Sequence, residues 1–239
     1  MTNRIPVLEI FGPTIQGEGM VAGQKTIFIR TFGCDYRCSW CDSKFTWDGT
    51  QKPILMSPED ILQKVSLLSN GTCNHVTISG GNPALISSLD VLLDLLQLEG
   101  FSVGLETQGS KWQDWFLKIQ DLTISPKPPS SNMKTDVKTL ENIILKLKEN
   151  KINYSIKVVI FNDEDFTYAK KLHWRFPSPS HKWFLQVGND DTNSKDNLAI
   201  SLLEKYEWLC NKVIADKSML SVRPLPQLHT LLWGNKQGV

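Results

Sequence analysis

Five cysteines, four histidines and four tyrosines are all that this 239-residue chain has of those residue types, and no apolar run approaches the 18 or more residues that cross a membrane. Even its most leucine-rich stretch, LDVLLDLLQLEG, is interrupted by acids. The N-terminus, MTNRIPVLEIFGP, lacks a basic region followed by a long apolar run. The expectation is therefore a cytoplasmic chain with reduced cysteines and no disulfide framework. Neither sign of charge dominates, with 26 Lys and Arg against 25 Asp and Glu. That argues against a broad electrostatic grip on nucleic acid or an anionic membrane and leaves room for a local basic pocket. No internal repeat is present.

What is there is enough for one sizeable core: 41% of the residues are hydrophobic, and a single domain over residues 1–239 is expected. Short apolar runs that read as buried strands recur along the chain: TIFIRT (26–31), HVTIS (75–79), SVGLET (102–107), LTIS (122–125), IKVVIF (156–161), WFLQVG (183–188) and SVRPL (221–225). Helical patterns lie between most of them. In SPEDILQKVSLLS, Ser57 reads as an N-cap, Pro58 as first turn and Asp60 as the closing member of a capping box, with Ile61, Leu62, Val65 and Leu68 on one face. Strands alternating with helices predict an α/β fold with a mostly parallel sheet, whose functional loops lie beyond the carboxyl ends of the strands. The polar motifs fall there: GCDYRCSWCDS after the first strand, GGNP after VTIS, TQG after GLE, and PKPP after LTIS. PKPPSSNMKTD (126–136) and FPSPSHK (176–182) read as loops too short to link domains.

Three of the five cysteines, Cys34, Cys38 and Cys41, crowd into one loop with no fourth nearby. A structural zinc site wants four ligands, which Cys73 or His75 would have to complete from a distance. Incidental buried thiols are a second reading. A third is an iron–sulfur cluster on three thiolates, which leaves one iron open for another molecule and so points to chemistry.

The spacing Cys-x3-Cys-x2-Cys, with Trp40 just before the last cysteine, resembles the signature of the radical S-adenosylmethionine (SAM) superfamily. SGGNP (79–83) is similar to that superfamily's GGEP element, with Asn82 where Glu is common. ETQG (106–109) and SPK (125–127) resemble its later SAM-binding strand ends. Within the superfamily, GPTIQGEG (12–19), Arg30, CDS, SPKPP and LPQLHTLLWGNK together resemble the 7-carboxy-7-deazaguanine synthases of queuosine biosynthesis, over nearly the whole chain. A glycyl-radical activating enzyme shares the cysteine loop but should lack TIQGEG and the C-terminal element. A zinc-binding module without catalysis needs a fourth ligand.

The resemblance implies an incomplete, open (β/α) barrel of about six mostly parallel strands. Cys34, Cys38 and Cys41 hold a 4Fe–4S cluster, whose open iron chelates SAM and whose electron cleaves it to methionine and a 5′-deoxyadenosyl radical. It assigns Trp40, Gly81, Glu106, Gln108, Ser125, Pro126 and Lys127 to SAM, with Lys157 and Gln186 as weaker candidates. Ile15, Gln16, Gly17, Glu18, Arg30, Ser79, His229 and the chain end, Val239, are assigned to the substrate, 6-carboxy-5,6,7,8-tetrahydropterin. Glu18 would meet the guanidine-like edge of the pterin and Arg30 its carboxylate, a task that suits a bidentate guanidinium. Ser43 would be the single protein ligand of Mg2+, with Asp42 a neighbour; as a residue type, Ser there also reads as a helix N-cap. A C-terminal tail closing the site, an electron donor such as flavodoxin and a homodimer complete the implied set. Cys73 and Cys210 read as ordinary buried thiols.

Overall fold

The computed structural model describes residues 3–177, 182–189, 191 and 198–239. Its first strand, β1 (Ile5–Ile15), pairs antiparallel with β2 (Lys25–Thr31) on one side and with the short β3 (Ile54–Met56) on the other. From β2 onward every pairing is parallel. Strands β4 (His75–Gly80), β5 (Ser102–Thr107), β6 (Asp121–Ile124), β7 (Tyr154–Ile160), β8 (Trp183–Val187) and β9 (Val222–Leu225) follow side by side in chain order. The outer strands β3 and β9 do not pair with each other, so the sheet stays open.

The parallel set has seven strands where about six were expected, and β1 and β3 extend the sheet to nine. β1 escapes a pattern reading because Pro6, Gly12 and Pro13 interrupt its alternation. Two register shifts, between Val7 and Glu9 and between Phe11 and Thr14, absorb them. At Gly12 the backbone has φ +123° and runs so close to β2 that a Cβ would lie 2.9 Å from the Thr26 carbonyl oxygen.

Helices α1 (Pro58–Ser69), α2 (Leu89–Leu98), α3 (Val137–Glu149), α4 (Asp163–Arg175) and α5 (Leu198–Ala215) fall where the periodicity predicts them. The box at the start of α1 is present: Asp60 N donates to Ser57 Oγ at 3.1 Å, and Ser57 N donates to Asp60 Oδ2. Such caps stabilise a helix by about 1 kcal/mol. Ile61 and Val65 are fully buried, with Leu62 and Leu68 packed beside them. Between β5 and β6 the crossover is only a 3-10 turn, Asp114–Lys118. A sixth helix, α6 (Leu228–Trp233), follows β9 and was not expected. Of the loop 176–182, residues 178–181 lie outside the described residues. Among the described residues no helix is long and apolar enough to cross a membrane.

Every residue of β7 and β8, the two strands inside the β9 edge, is buried because both faces are covered. Lys157 in β7 and Gln186 in β8 are polar exceptions in these apolar strands. A lysine there is costly unless paired, which directs attention to what it faces.

Candidate active site

A cavity of about 380 Å³ opens at the carboxyl ends of the parallel strands. Every site residue expected from the sequence lines it except Pro126, which is buried behind Ser125 and Lys127. Of the weaker candidates, Lys157 lines it; Gln186 instead donates from Nε2 to the carbonyls of Gly17 and Pro226, tying the N-terminal turn to the C-terminal segment.

The cysteine loop follows β2 and is pinned on both sides. Gly33 N donates to Thr46 O, Asn82 N to Gly33 O, and Ser39 N to Ser131 O, at 2.7–3.0 Å. The 80–81 turn passes so close that a Cβ on Gly81 would lie 2.1 Å from Gly33 O. Cys34, Cys38 and Cys41 are free thiols that reach the cavity. Burial raises all three pKa values, that of Cys38 to about 11, with neighbouring thiols adding to the rise and Lys127 opposing it. Thiols so placed become thiolates when a cationic centre offsets the desolvation.

The ligand set, more than the present positions of the thiols, separates the two metal readings. A single zinc with sulfur ligands at 2.3 Å would draw them to about 3.8 Å from one another. Among the described residues, the one set of three His, Cys, Asp or Glu ligand atoms that all lie within 4.8 Å of one another is Glu18, Asp42 and His229, not the cysteines. Bringing the three thiols to one zinc would require their side chains to move together and a fourth ligand to join them. No zinc ligand comes from Cys73 or His75, which lie at the amino end of β4, across the sheet from the loop; His75 Nδ1 instead shares a hydrogen bond with Thr26 Oγ1 at 2.8 Å.

Two supports hold Trp40, the residue before the last cysteine. Its indole N–H donates to Ser130 Oγ at 3.0 Å, and its ring lies 4.9 Å from that of Phe161. Lys127 Nζ sits 5.7 Å from the same ring and donates to Ser125 Oγ. Both supports lead to Asp165, a fully buried carboxylate in the first turn of α4 that the sequence reading missed. It accepts from Ser130 N and Phe161 N, each at 3.0 Å. An Asn–x–x–Asp pattern signals the helix start, but only the fold brings the 126–131 loop to it.

The other end of the cavity is charged. Lys157 Nζ pairs with Glu18 Oε2 and lies 3.4 Å from Glu106 Oε1, while Gln227 Nε2 donates to Glu18 Oε1 at 2.8 Å. Burial would raise the Glu18 pKa, but Lys157 and His229 outweigh it and hold it at about 2. Burial also opposes the Lys157 charge, and the Glu106 and Glu18 carboxylates overcome it, so its pKa rises. Burial and the Glu18 charge raise Glu106. One anion and one cation are thus fixed here at neutral pH. Gln227 was not a sequence candidate, because 209 positions separate it from Glu18.

Gln16 is 3% exposed, and its Nε2 is buried without a partner. An unpaired buried amide costs about 1–3 kcal/mol, so a donor left this way at a cavity wall is suited to a ligand acceptor. Gly17 lies against α6: a Cβ there would be 2.3 Å from His229 Nδ1. The tail also lines the cavity, through residues 234–239.

Arg30 donates from Nε to Glu9 Oε1 at 2.5 Å and from Nη1 to Ser43 Oγ at 3.2 Å, with its guanidinium between the rings of Phe11 and Phe45. Ser43 donates in turn to Asp42 Oδ1 at 2.9 Å. It occupies the N-cap position of the 3-10 turn Lys44–Thr46, yet its side chain makes no capping bond. Its hydroxyl is engaged by Arg30 and Asp42 instead, and the residue lines the cavity.

Residues 28–186 match the model of the Radical SAM superfamily. The chain is 57% identical to the 7-carboxy-7-deazaguanine synthase of Bacillus cereus, over 99% of this chain and all of that one. It is 56% identical to the Bacillus subtilis enzyme of the same name, over the full length of both. Among solved structures, QueE from Escherichia coli superposes with a TM-score of 0.63 over 95% of each chain at 24% identity, a likeness of fold.

Proposed function

Because the chain belongs to the radical SAM superfamily, among its 7-carboxy-7-deazaguanine synthases, we propose a division of labour along this cavity. The protein is a lyase that contracts the ring of 6-carboxy-5,6,7,8-tetrahydropterin to give 7-carboxy-7-deazaguanine with loss of ammonia, in 7-deazapurine and queuosine biosynthesis. Its cofactors are a 4Fe–4S cluster, SAM and Mg2+.

Cys34, Cys38 and Cys41 are the cluster ligands in this reading, and their shared access to the cavity as free thiols supports it. Bound there, the cluster and SAM supply the one-electron chemistry that removes a substrate hydrogen. The chain itself binds, aims and excludes. Trp40, Gly81, Gln108, Ser125 and Lys127 are assigned to SAM, Glu106 joins them from the Lys157 cluster, and Pro126 is buried behind Ser125 and Lys127. The close approach of Gly81 to Gly33 leaves no room for a side chain at that position.

On the substrate side, Lys157 and Gln227 hold Glu18 as an oriented anion, the form that accepts two N–H groups from the pterin's guanidine-like edge. Gln16 donates from its unpaired Nε2, and Ile15, Gly17, Ser79 and His229 complete the wall. Arg30 meets the substrate carboxylate. Ser43 Oγ gives Mg2+ its protein ligand, and substrate oxygens and water supply the rest. An ion held there would supply the charge that orients the bound substrate's oxygens. The chain is one domain, whose tail, ending at Val239, closes over the bound substrate. The finer partners, a flavodoxin-type electron donor and a second copy of the chain, and the cytoplasmic location rest on the family resemblance.

One observation carries this reading: a single cavity joins three free thiols, with no fourth ligand from Cys73 or His75, to an anionic Glu18 and an unpaired Gln16 amide. Anaerobic incubation with the tetrahydropterin, SAM and a reductant tests it. The deazaguanine acid should form, as identified by its mass and absorbance; SAM cleavage without product would reject the substrate assignment.

A further inference from the structure

Asp35, between Cys34 and Tyr36, collects two amide donors on one oxygen. Asn82 Nδ2 donates to Asp35 Oδ1 at 2.9 Å, and Gln108 Nε2 to the same atom at 2.5 Å. Gln108 Nε2 also lies 3.6 Å from Cys34 Sγ, within reach of an N–H···S bond. An amide nitrogen carries two hydrogens. Both are therefore spent on the cysteine loop, and only Gln108 Oε1 is free of it.

Asn82 explains why the arrangement holds. It is fully buried and satisfied on both sides of its amide: Oδ1 accepts from Ala84 N at 3.2 Å and from Thr107 Oγ1 at 2.8 Å, while Nδ2 serves Asp35 and Ser110 Oγ. A glutamate here would set a second carboxylate against Asp35. With asparagine the carboxylate is instead gripped by two donors, from the ends of β4 and β5, and the Gln108 amide is turned so that its other hydrogen meets the sulfur. Gln108 is 4% exposed, so no water competes strongly for that donor.

We infer that Gln108 sets the reduction potential of the cluster through Cys34, with Asp35 and Asn82 as the positioning residues that aim its amide. The inference rests on the cluster assignment above. The physical basis is general: reduction adds negative charge to the cluster and its thiolates, so an N–H donor to a ligand sulfur favours the reduced state and raises the potential. This gives Gln108 a task through the ligand sulfur, independent of any contact with SAM.

The test is an anaerobic redox titration followed by electron paramagnetic resonance of the reduced cluster, with iron content measured on the same samples. Gln108→Leu keeps the bulk and removes the donor; Gln108→Glu keeps the shape but adds charge; Ser110→Ala touches Asn82 without touching Asp35 or sulfur. The expected order is wild type and Ser110→Ala together, Gln108→Leu at a more negative midpoint, and Gln108→Glu lower still. Gln108→Leu decides, because a new charge lowers the potential by itself. A wild-type midpoint in Gln108→Leu at full iron content overturns the inference. So does loss of iron from that variant, which would make Gln108 an assembly residue. Absence of iron from the wild-type protein would instead overturn the cluster assignment.

Discussion

Arg30 Nη1 donates to Ser43 Oγ at 3.2 Å, so the residue assigned to the substrate carboxylate and the residue assigned to magnesium hold each other in the ligand-free site. Glu9 holds the far side of the guanidinium and keeps it aimed along the cavity wall. Bringing a cation to Ser43 Oγ displaces the arginine, and a substrate carboxylate is the anion it can turn to. Ion and substrate should therefore bind cooperatively.

Ser43→Ala is expected to abolish most of the magnesium dependence of turnover and of substrate affinity, and Ser43→Thr to retain it, because threonine keeps the oxygen. A thermal melt separates this from a capping role. With no capping bond present, the alanine variant should lose well under the ~1 kcal/mol of a working N-cap. A magnesium titration of the three proteins decides it; an unchanged response in the alanine variant takes Ser43 out of the metal site.

Glu18→Ala and Arg30→Ala should lower pterin turnover strongly and leave slow, substrate-independent SAM cleavage. Both residues are assigned to the substrate, and neither to the cluster or to SAM. Parallel assays of product and 5′-deoxyadenosine check this, and equal loss of both reactions at full iron content would place them elsewhere.

Lys157 should matter more to stability than either carboxylate alone. Its side chain is 4% exposed and serves both Glu18 and Glu106. Removing it, as in Lys157→Met, leaves two partly buried carboxylates without their cation, a loss below the ~3–5 kcal/mol of breaking a fully buried pair. Glu18→Gln should cost less, because Glu106 still faces the lysine. Urea unfolding of both variants measures the difference.

His75 gives the fold an acid-sensitive point. Burial lowers its pKa from 6.5, Asp121 offsets this only in part, and its Nε2 is buried without a hydrogen-bond partner. The unfolded chain then binds a proton that the native protein resists, so stability is present above about pH 6.5 and falls as the pH drops through that value toward the lowered native pKa. Thermal melts from pH 8 to 5 should show the loss, and His75→Gln should flatten it.

What the sequence made legible follows from how each element is stabilised. The parallel strands are buried on both faces, so they read as unbroken apolar runs, as in IKVVIF. The helix α1 announces itself through Ser57, Pro58 and Asp60, whose bonds are local. The cysteine loop and the GGNP, TQG and PKPP turns could be grouped because a parallel sheet collects its carboxyl-end loops. β1 was hidden because Pro6, Gly12 and Pro13 break its alternation, and only pairing with β2 and β3 keeps it extended. Gln227, Asp35 and Asp165 were hidden for another reason. Their partners, Glu18, Asn82 and Ser130, are distant in the chain, and side-chain pairing at long range leaves no local pattern.

The central claim is that Cys34, Cys38 and Cys41 hold a four-iron cluster with one iron left for SAM. Mössbauer spectroscopy of anaerobically prepared, 57Fe-loaded protein tests it most directly. The account predicts about four irons per chain, roughly a quarter of whose signal shifts when SAM is added. It also predicts no such cluster in Cys34→Ala, Cys38→Ala or Cys41→Ala, and an unaltered one in Cys73→Ala and Cys210→Ala. Stoichiometric zinc in place of iron, or a full cluster whose spectrum ignores SAM, would contradict it.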